Sequence, residues 1–354
     1  FIIPRAFYSG RTGGPVPVAG GIVLSSARLN RIKDIDVREG VAVVEPGVIL
    51  DDLQAQVERE GWFYPPDPNS SAVCCLAGNV AENAAGPRTF KYGSTRDYVL
   101  GIETFLATGE SFFAGRRTKK GVTGYDLVGT LVGSEGTLAA FGDVTLRLIP
   151  RPESVLTLLA LFTDVASAGV AVEKIVAARL LPRCLEFLDE KTLEVMRLHG
   201  SAFRADAGAL LLIEVDGSES ECERLATLVG EACDAAGALE VNVATSESAR
   251  QKLWSSRKQM SHAVRARARH KVSEDVVVPR VHLSRLLAEV RRLGDVERID
   301  ALAYGHAGDG NLHVNFLWND DEEVVVVGAN GAVPKECGGS GIPSNALEAN
   351  GEAL

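Results

Sequence analysis

Two histidines flank a glycine-rich turn in the segment 304–316, which reads Tyr-Gly-His-Ala-Gly-Asp-Gly-Asn-Leu-His-Val-Asn-Phe. Because glycine disfavours helix, we expect His306 in a loop. Residues 312–316 alternate between apolar and polar, which predicts a strand with His313 and Asn315 on one face and the apolar side chains on the other. Two imidazoles that reach one point could ligate a divalent metal. A lone pair of histidines is more often structural.

Two cations upstream of this segment are candidates for binding an anionic substrate. Arg257 and Lys271 lie on either side of the end of a predicted helix. An arginine binds a carboxylate through two parallel N–H bonds, which fixes its orientation. The alternative is a solvated helix face, because further arginines crowd the same stretch, namely Arg265, Arg267 and Arg269.

Glycines mark most of the turns between residues 78 and 138. Each glycine permits a left-handed backbone or a close approach of the main chain to a neighbour. The glycines concerned are Gly78, Gly86, Gly93, Gly124, Gly133 and Gly136. Any one of them is an ordinary turn, but together they indicate a main chain laid against a large flat ligand. No Gly-x-Gly-x-x-Gly follows a strand and opens a helix, so a Rossmann site is not predicted.

The bulk composition excludes several classes of protein. The net charge of −10 argues against binding to nucleic acid, which needs a basic surface. No run of about 18 apolar residues occurs, so no membrane span is predicted. The 6 cysteines lack the spacing of a zinc ribbon or an iron–sulfur set. Free thiols suit a reducing compartment, so we expect a cytoplasmic location, with membrane association through a partner as the alternative.

Hydrophobic periodicity predicts an α+β chain in two parts. In the first part the predicted elements are a helix at 51–60 and strands at 21–24, 41–45, 99–106 and 143–149. Beyond residue 153 strands and helices alternate in an order typical of a ferredoxin-like sheet covered by helices. A long helix over 246–269 follows and carries Arg257.

The glycine-marked segments, in their order along the chain, resemble the FAD-binding domain of vanillyl-alcohol-oxidase-type flavoproteins. The nearest branch includes the glycolate oxidase flavin subunit and the D-lactate and D-2-hydroxyglutarate dehydrogenases. The resemblance implies a PCMH-type FAD-binding domain over 1–150, followed by a ferredoxin-like α/β cap domain over 151–318. The first residues read as the end of a strand, so we expect the natural domain to begin earlier. Residues 319–354 form an irregular tail, for which a frame-shifted terminus is one explanation.

The same resemblance implies which residues bind FAD. The residues that match the family's motifs are Ser9, Gly10, Gly13, Gly14, Pro66, Asp67, Gly78, Asn79, Glu82, Asn83, Gly133, Glu135, Gly136 and Asp275. Glu82 and Asn83 could equally cap a helix. At the pyrophosphate loop the family has glycine where this chain has Ala6 and Tyr8. We expect the Tyr8 side chain to crowd the pyrophosphate and to resist a positive φ.

The resemblance also gives the histidines and cations their roles. His306 and His313 match the family's Gly-His-x-Gly-Asp-Gly-Asn-Leu-His motif, which implies a divalent metal such as zinc or manganese. Arg257 and Lys271 match the family's carboxylate-binding pair, and with His313 they are the expected catalytic residues. The family's downstream Gly-Glu-His-Gly, which supplies a third ligand and a base, has no match in this chain.

These matches imply an FAD-dependent dehydrogenase that oxidises a small D-2-hydroxy acid, glycolate or D-lactate, by hydride transfer to flavin N5. Electrons would leave to a quinone, a cytochrome or an iron–sulfur partner subunit. The rival interpretation is an inactive or truncated family member that keeps only the fold. It rests on Tyr8, on the early start of the chain and on the missing glutamate–histidine pair.

Overall fold

The computed structural model describes residues 2–10, 12–244, 246–319, 327–328 and 331–332. Within these residues the helices are α1 (Leu50–Arg59), α2 (Leu76–Glu82), α3 (Thr89–Tyr92), α4 (Leu127–Leu131), α5 (Val165–Ala177), α6 (Glu190–Leu198), α7 (Glu219–Asp234), α8 (Glu247–Ala266) and α9 (Leu283–Glu297). The strands are β1 (Ile2–Arg5), β2 (Ile22–Ser25), β3 (Ile32–Asp36), β4 (Val41–Val44), β5 (Trp62–Phe63), β6 (Val99–Phe105), β7 (Ser111–Gly115), β8 (Ala140–Arg147), β9 (Ile149–Pro150), β10 (Ser154–Phe162), β11 (Cys184–Asp189), β12 (Ala209–Gly217), β13 (Glu240–Val243), β14 (His270–Val277), β15 (Asp300–His306), β16 (Asn311–Trp318), β17 (Val327–Gly328) and β18 (Gly331–Ala332).

The N-terminal part is built on a five-stranded antiparallel sheet of order β3-β4-β8-β6-β7, beside a parallel pair formed by β1 and β2. The strand β4 reads Val-Ala-Val-Val and is mostly buried, as expected of β-branched residues in a sheet core. Helix α1 packs in the same core because Leu50, Leu53 and Val57 share one face and are fully buried. The chain then turns at Gly61, whose φ of 77° is left-handed. The predicted helix is thus confirmed.

The C-terminal part is built on a seven-stranded antiparallel sheet of order β13-β10-β12-β11-β15-β16-β14. Its first four strands, with α5 after β10 and α7 after β12, have the ferredoxin-like arrangement that the sequence predicts. The other three strands extend this sheet at the β11 edge. Two of them, β15 and β16, carry the histidines of the glycine-rich segment.

Different helices cover the two faces of the larger sheet. Helices α5, α7 and α9 pack on one face, where Leu312 and Val314 are buried. Helices α6 and α8 pack on the other, where Met260 and Val264 of α8 meet Leu302 of β15. The alternation predicted for residues 312–316 is therefore confirmed, and it places the polar side chains of β16 on the α8 side of the sheet.

The boundaries predicted at residues 150 and 318 remain a proposal, although each part has its own hydrophobic core. Apart from residue 319, β17 and β18, the predicted tail lies outside the described residues. Among the helices that the structure describes, none is both long enough and apolar enough to cross a lipid bilayer.

A buried carboxylate on β12 joins the two parts of the molecule. Asp216 is 1% exposed and accepts a hydrogen bond from the Tyr92 hydroxyl at 2.7 Å. It also pairs with the Lys91 ammonium and, at 3.3 Å, with the Arg183 guanidinium. Burial and then the charge of Asp216 raise the pKa of Tyr92, so the hydroxyl remains a donor. The Lys-Tyr pair of α3 therefore links the N-terminal part to the larger sheet.

We expect Tyr92→Phe to lower the free energy of unfolding by about 1.5–3 kcal/mol, the range for a hydrogen bond to a charged group. The substitution leaves one lone pair of the buried Asp216 carboxylate without its donor. Chemical denaturation checks the value, with Tyr125→Phe as the matched control because Tyr125 is 95% exposed. Equal stabilities of Tyr92→Phe and the parent protein would show that this hydroxyl does not help to join the two parts.

Candidate active site

A cavity of about 670 Å³ opens in the N-terminal part, between the loop 4–15, helix α2 and the segment leading into β8. Most of the residues predicted to bind FAD line this cavity. They are Ser9, Gly10, Gly14, Gly78, Asn79, Glu82, Asn83, Glu135, Gly136 and Asp275. Segments far apart in the sequence thus meet at one concave surface, and Asp275 is contributed by the larger sheet.

The other predicted FAD residues are Gly13, Pro66, Asp67 and Gly133, and they lie outside this lining. The Pro66 carbonyl accepts a hydrogen bond from the Gln54 amide at 2.8 Å. Asp67 pairs with Arg88 at 3.1 Å, and the Gly133 amide donates to a carbonyl of α2 at 2.9 Å. Pro66, Asp67 and Gly133 are therefore engaged by other parts of the protein and do not line the cavity in this structure.

The turn at Tyr8 has the left-handed backbone that glycine favours. Its φ is 63°, and its ring is 58% exposed at the cavity wall. The loop therefore keeps the glycine-type turn although a tyrosine occupies it. For a residue with a Cβ this turn costs about 1–2 kcal/mol.

We expect Tyr8→Gly to tighten FAD binding, since it removes the ring at the cavity wall that would crowd the pyrophosphate. Equilibrium titration with FAD measures the effect. Gly13→Ala is the matched control, because Gly13 has a φ of 79° and an added Cβ would meet nothing within 4 Å. The control changes the backbone of the same loop and leaves the ring in place, so it should not tighten binding. Equal or weaker binding by Tyr8→Gly would contradict crowding of the pyrophosphate by Tyr8.

The sequence left two roles open for Glu82 and Asn83, contact with the flavin or capping of a helix. The structure gives the two residues different surroundings. Asn83 ends α2 with a left-handed φ of 49°. Its Oδ1 accepts from the Arg96 amide at 2.9 Å and from the Ser94 hydroxyl at 3.0 Å. The Asn83 side chain therefore organises the end of the helix and the loop beyond it.

The Glu82 carboxylate faces the loop 4–15. Thr12 donates a hydrogen bond to it at 3.4 Å. Burial raises the pKa of Glu82, the bond from Thr12 opposes this, and the charge of Glu135 adds to it. The Glu82 carboxyl group therefore lies between this loop and Glu135 in a partly desolvated setting.

The walls of the cavity suit FAD. Its volume lies in the usual range for cofactor sites, about 300–1,000 Å³. A Cβ on Gly10 would overlap the Glu82 carboxylate, and one on Gly78 would lie 3.2 Å from the Cβ of Ala6. The glycines therefore let two segments approach closely, and the turn at Tyr8 can direct successive backbone amides towards phosphate oxygens.

A buried ion-pair network lies on the α8 face of the larger sheet. Glu186 of β11 is 0% exposed and stands opposite His306 of β15 in the strand register. Its Oε2 accepts from Arg257 Nε at 2.7 Å, and its Oε1 accepts from His306 Nδ1. Burial alone would raise the pKa of Glu186, but His306 and Arg257 hold it at about 2. The carboxylate is therefore ionised at neutral pH.

The two predicted histidines lie side by side. Their ring centroids are 5.4 Å apart and the rings are nearly perpendicular. His313 Nδ1 donates to Asp275 Oδ1, and Asp275 also lines the FAD-sized cavity. This network therefore adjoins the cavity. His306 is the last residue of β15 and not a loop residue, because β15 and β16 pair up to the turn that joins them.

The metal site implied by the resemblance is incomplete in this part of the chain. Each histidine directs its Nδ1 at a carboxylate, which leaves Nε2 of both rings for a ligand. Among the residues that the structure describes, no cluster of three or more histidine, cysteine or acidic side chains could hold a metal ion. The described residues therefore do not fit a resident metal ion.

The predicted substrate anchor Arg257 is not on a solvated helix face. Its side chain is 11% exposed, and its guanidinium lies 5.2 Å from the ring centre of Tyr304. Arg265, by contrast, is exposed and donates to a backbone carbonyl at 2.9 Å. Lys271 is half-buried on β14, opposite Leu317 and on the same side of the strand as Asp275.

Glu186 and Asn315 are candidate site residues that the sequence-based assignment missed. Asn315 is 0% exposed and donates to the His313 carbonyl at 2.9 Å, while its Oδ1 is buried without a hydrogen-bond partner among the described residues. Glu186 interrupts the apolar strand Cys-Leu-Glu-Phe-Leu-Asp. A carboxylate at a fully buried strand position needs a cationic partner. The glutamate within this apolar strand is therefore the sequence signal that could have indicated a buried ion pair.

Comparison with protein families identifies the class of the molecule. Residues 2–114 match the FAD binding domain family, and residues 151–330 match the family described as FAD linked oxidases, C-terminal domain. The chain belongs to the FAD-linked oxidase family, which confirms the resemblance and the expected α+β fold.

Two relatives show which members of the family this chain is similar to. The chain is 38% identical over 313 residues to glycolate oxidase subunit GlcD of Bacillus subtilis, covering 88% of this chain and 67% of that protein. It is 34% identical over 330 residues to D-lactate dehydrogenase of Anaerostipes hadrus, covering 91% and 69%. The chain thus spans about two thirds of the length of these relatives.

Solved structures share the fold at low sequence identity. Alkyldihydroxyacetonephosphate synthase superimposes with a TM-score of 0.73 at 19% identity, covering 89% of this chain and 65% of that one. p-Cresol methylhydroxylase gives a TM-score of 0.67 at 16% identity, covering 84% and 66%.

Proposed function

We propose that this protein is an FAD-dependent dehydrogenase that oxidises a small D-2-hydroxy acid, glycolate or D-lactate, to the 2-keto acid. One observation supports this most strongly: Asp275 lines the FAD-sized cavity and also bonds His313. A substrate beside the histidine pair would therefore lie at the end of the cavity. The names of the relatives, glycolate oxidase and D-lactate dehydrogenase, favour the same substrate class.

Arg257 would bind the substrate carboxylate, with Lys271 as a second cation on the same face of the sheet. The guanidinium is suited to this because it is largely shielded from water, which strengthens a charge-assisted bond. The Tyr304 ring beneath it limits its movement.

His313 would take the proton of the α-hydroxyl. A carboxylate at Asp275 can only accept, so His313 would carry a proton on Nδ1 and present Nε2 to the substrate. Removal of the hydroxyl proton at Nε2 prepares the α-carbon to release a hydride. Bound FAD would accept that hydride at N5, and the role of the protein is to place the two atoms together.

The electron acceptor is inferred from the cysteines and from the relatives. The 6 cysteines lack a cluster-type spacing, so we infer transfer to a quinone, a cytochrome or an iron–sulfur partner subunit. The relatives named as glycolate oxidase subunits are consistent with a partner protein. A bound zinc or manganese ion would need a third ligand from outside the described residues.

Turnover with an artificial electron acceptor tests the proposal. The full-length protein, reconstituted with FAD, should reduce the acceptor with D-lactate or glycolate and release pyruvate or glyoxylate. L-lactate should be a far poorer substrate, since anchoring its carboxylate at Arg257 directs the α-hydrogen away from the flavin. Tight FAD binding with no turnover of either acid would contradict the proposal.

A second candidate is a family member that keeps the fold without activity. The observations that favour it are the tyrosine at the left-handed turn of the phosphate loop and a metal ligand set that is incomplete among the described residues. Under this alternative the purified protein lacks a flavin spectrum, and neither D-lactate nor glycolate reduces an artificial electron acceptor after FAD is added.

A further inference from the structure

Glu186 connects the proposed substrate anchor to the histidine pair. Its Oε2 lies 2.7 Å from Arg257 Nε and 2.6 Å from Nη2, so one oxygen holds one edge of the guanidinium. Its other oxygen accepts from His306 Nδ1. Both carboxylate oxygens are thus engaged by groups that the proposed function places around the substrate.

The fold itself does not require a carboxylate at this position. The flanking Leu185 and Phe187 point into the apolar core on the opposite face of the sheet, and Leu188 packs in the core beneath α8. An apolar residue at 186 could extend that second core, and replacing buried ion pairs in this way is often neutral or stabilising. A specific buried charge here indicates a role other than stability.

The geometry of the ion pair determines which part of Arg257 remains available. Glu186 engages Nε and Nη2, whereas no hydrogen-bond acceptor among the described residues contacts Nη1. A guanidinium is planar, so fixing one edge also fixes the direction of the remaining donors. Those donors can then receive a carboxylate without a search over rotamers.

We propose that Glu186 is a positioning residue, which holds the Nε–Nη2 edge of Arg257 so that its Nη1 side binds the substrate carboxylate. The inference rests on the proposed function and adds to it the way in which the anchor is oriented. By bonding His306 Nδ1, the same carboxylate also fixes the ring that packs against His313.

A second buried carboxylate on the same face of the sheet provides a matched control. Glu214 of β12 is 2% exposed and faces Cys184 in the strand register, two residues from Glu186. Its hydrogen-bond partners are Thr157 at 2.8 Å and Trp254 at 2.6 Å, and it also pairs with the guanidinium groups of Arg183 and Arg250, each at 3.4 Å. None of these four partners is a proposed site residue, so Glu214→Gln removes a comparable buried, arginine-paired charge without touching the anchor.

The test compares Glu186→Gln, Glu186→Asp and Glu214→Gln as FAD-loaded, full-length proteins. We expect Glu186→Gln to raise KM for D-lactate by about tenfold or more, the effect of losing a charge-assisted bond, with a smaller change in kcat. The dissociation constant of oxalate, an unreactive carboxylate measured by calorimetry, should rise by a similar factor. Glu186→Asp should restore part of the loss, and Glu214→Gln should leave KM within about twofold.

A double variant shows whether Glu186 acts through Arg257. In the Arg257→Lys background, Glu186→Gln should change KM by no more than about twofold, because the oriented guanidinium is already gone. If Glu186→Gln does not fold, Glu186→Asp is measured in both backgrounds instead. If the parent is active and Glu186→Gln has the same or a lower KM than the parent, the inference is overturned. A lower KM would mean that Glu186 competes with the substrate for Arg257. An FAD-loaded parent that oxidises neither acid would instead overturn the proposed function.

Discussion

Arg257→Lys is expected to lower kcat/KM for D-lactate and glycolate by about one to two orders of magnitude, although the charge is kept. A carboxylate held by two parallel N–H bonds loses one of them when guanidinium becomes ammonium. A charge-assisted bond contributes roughly 1.5–3 kcal/mol, which converts to that factor. Steady-state kinetics with an artificial electron acceptor measure it.

Arg265→Lys is the matched control for this prediction. Arg265 lies on the same helix, is exposed and bonds only backbone carbonyls in the described residues. Its replacement should leave kcat/KM unchanged and cost little stability. Equal kinetics of Arg257→Lys and the parent protein for both substrates would remove Arg257 from the site.

His313→Gln should have the largest effect on kcat, a fall of about 10²- to 10⁴-fold, the usual contribution of a general base. Glutamine keeps a polar group near Asp275 but cannot accept the hydroxyl proton. Flavin content should stay the same, because His313 does not line the FAD-sized cavity. Rapid-mixing measurements of flavin reduction by D-lactate check the rate directly.

His262→Gln is the corresponding control, since His262 is an exposed residue of α8. It should reduce flavin at the parent rate. If His313→Gln also reduced flavin at that rate, His313 would be a structural histidine and the proton acceptor would have to be sought elsewhere.

Local patterns in the sequence were sufficient to predict much of the site. The alternation in residues 312–316 predicts which side chains face the apolar core, because strand periodicity is a property of a few neighbouring residues. The glycine spacing and the family resemblance together indicate segments that do meet at the cavity, such as Gly10, Gly78 and Gly136.

Contacts between distant strands could not be predicted in the same way. Glu186 and His306 are opposite each other only because β11 pairs with β15 in one particular register. No local pattern encodes a register between strands so far apart in the chain. The positive φ of Tyr8 could not be predicted either, because the surrounding loop outweighs the intrinsic preference of one residue.

Anaerobic mixing of the FAD-loaded protein with D-lactate isolates hydride transfer from the later transfer of electrons to an acceptor. We expect D-lactate to bleach the visible flavin absorption and to yield pyruvate in equal amount. L-lactate should leave the flavin oxidised, and Arg257→Lys should need a much higher D-lactate concentration. A fully loaded flavin that neither D-lactate nor glycolate reduces would show that the protein is not a dehydrogenase of these acids.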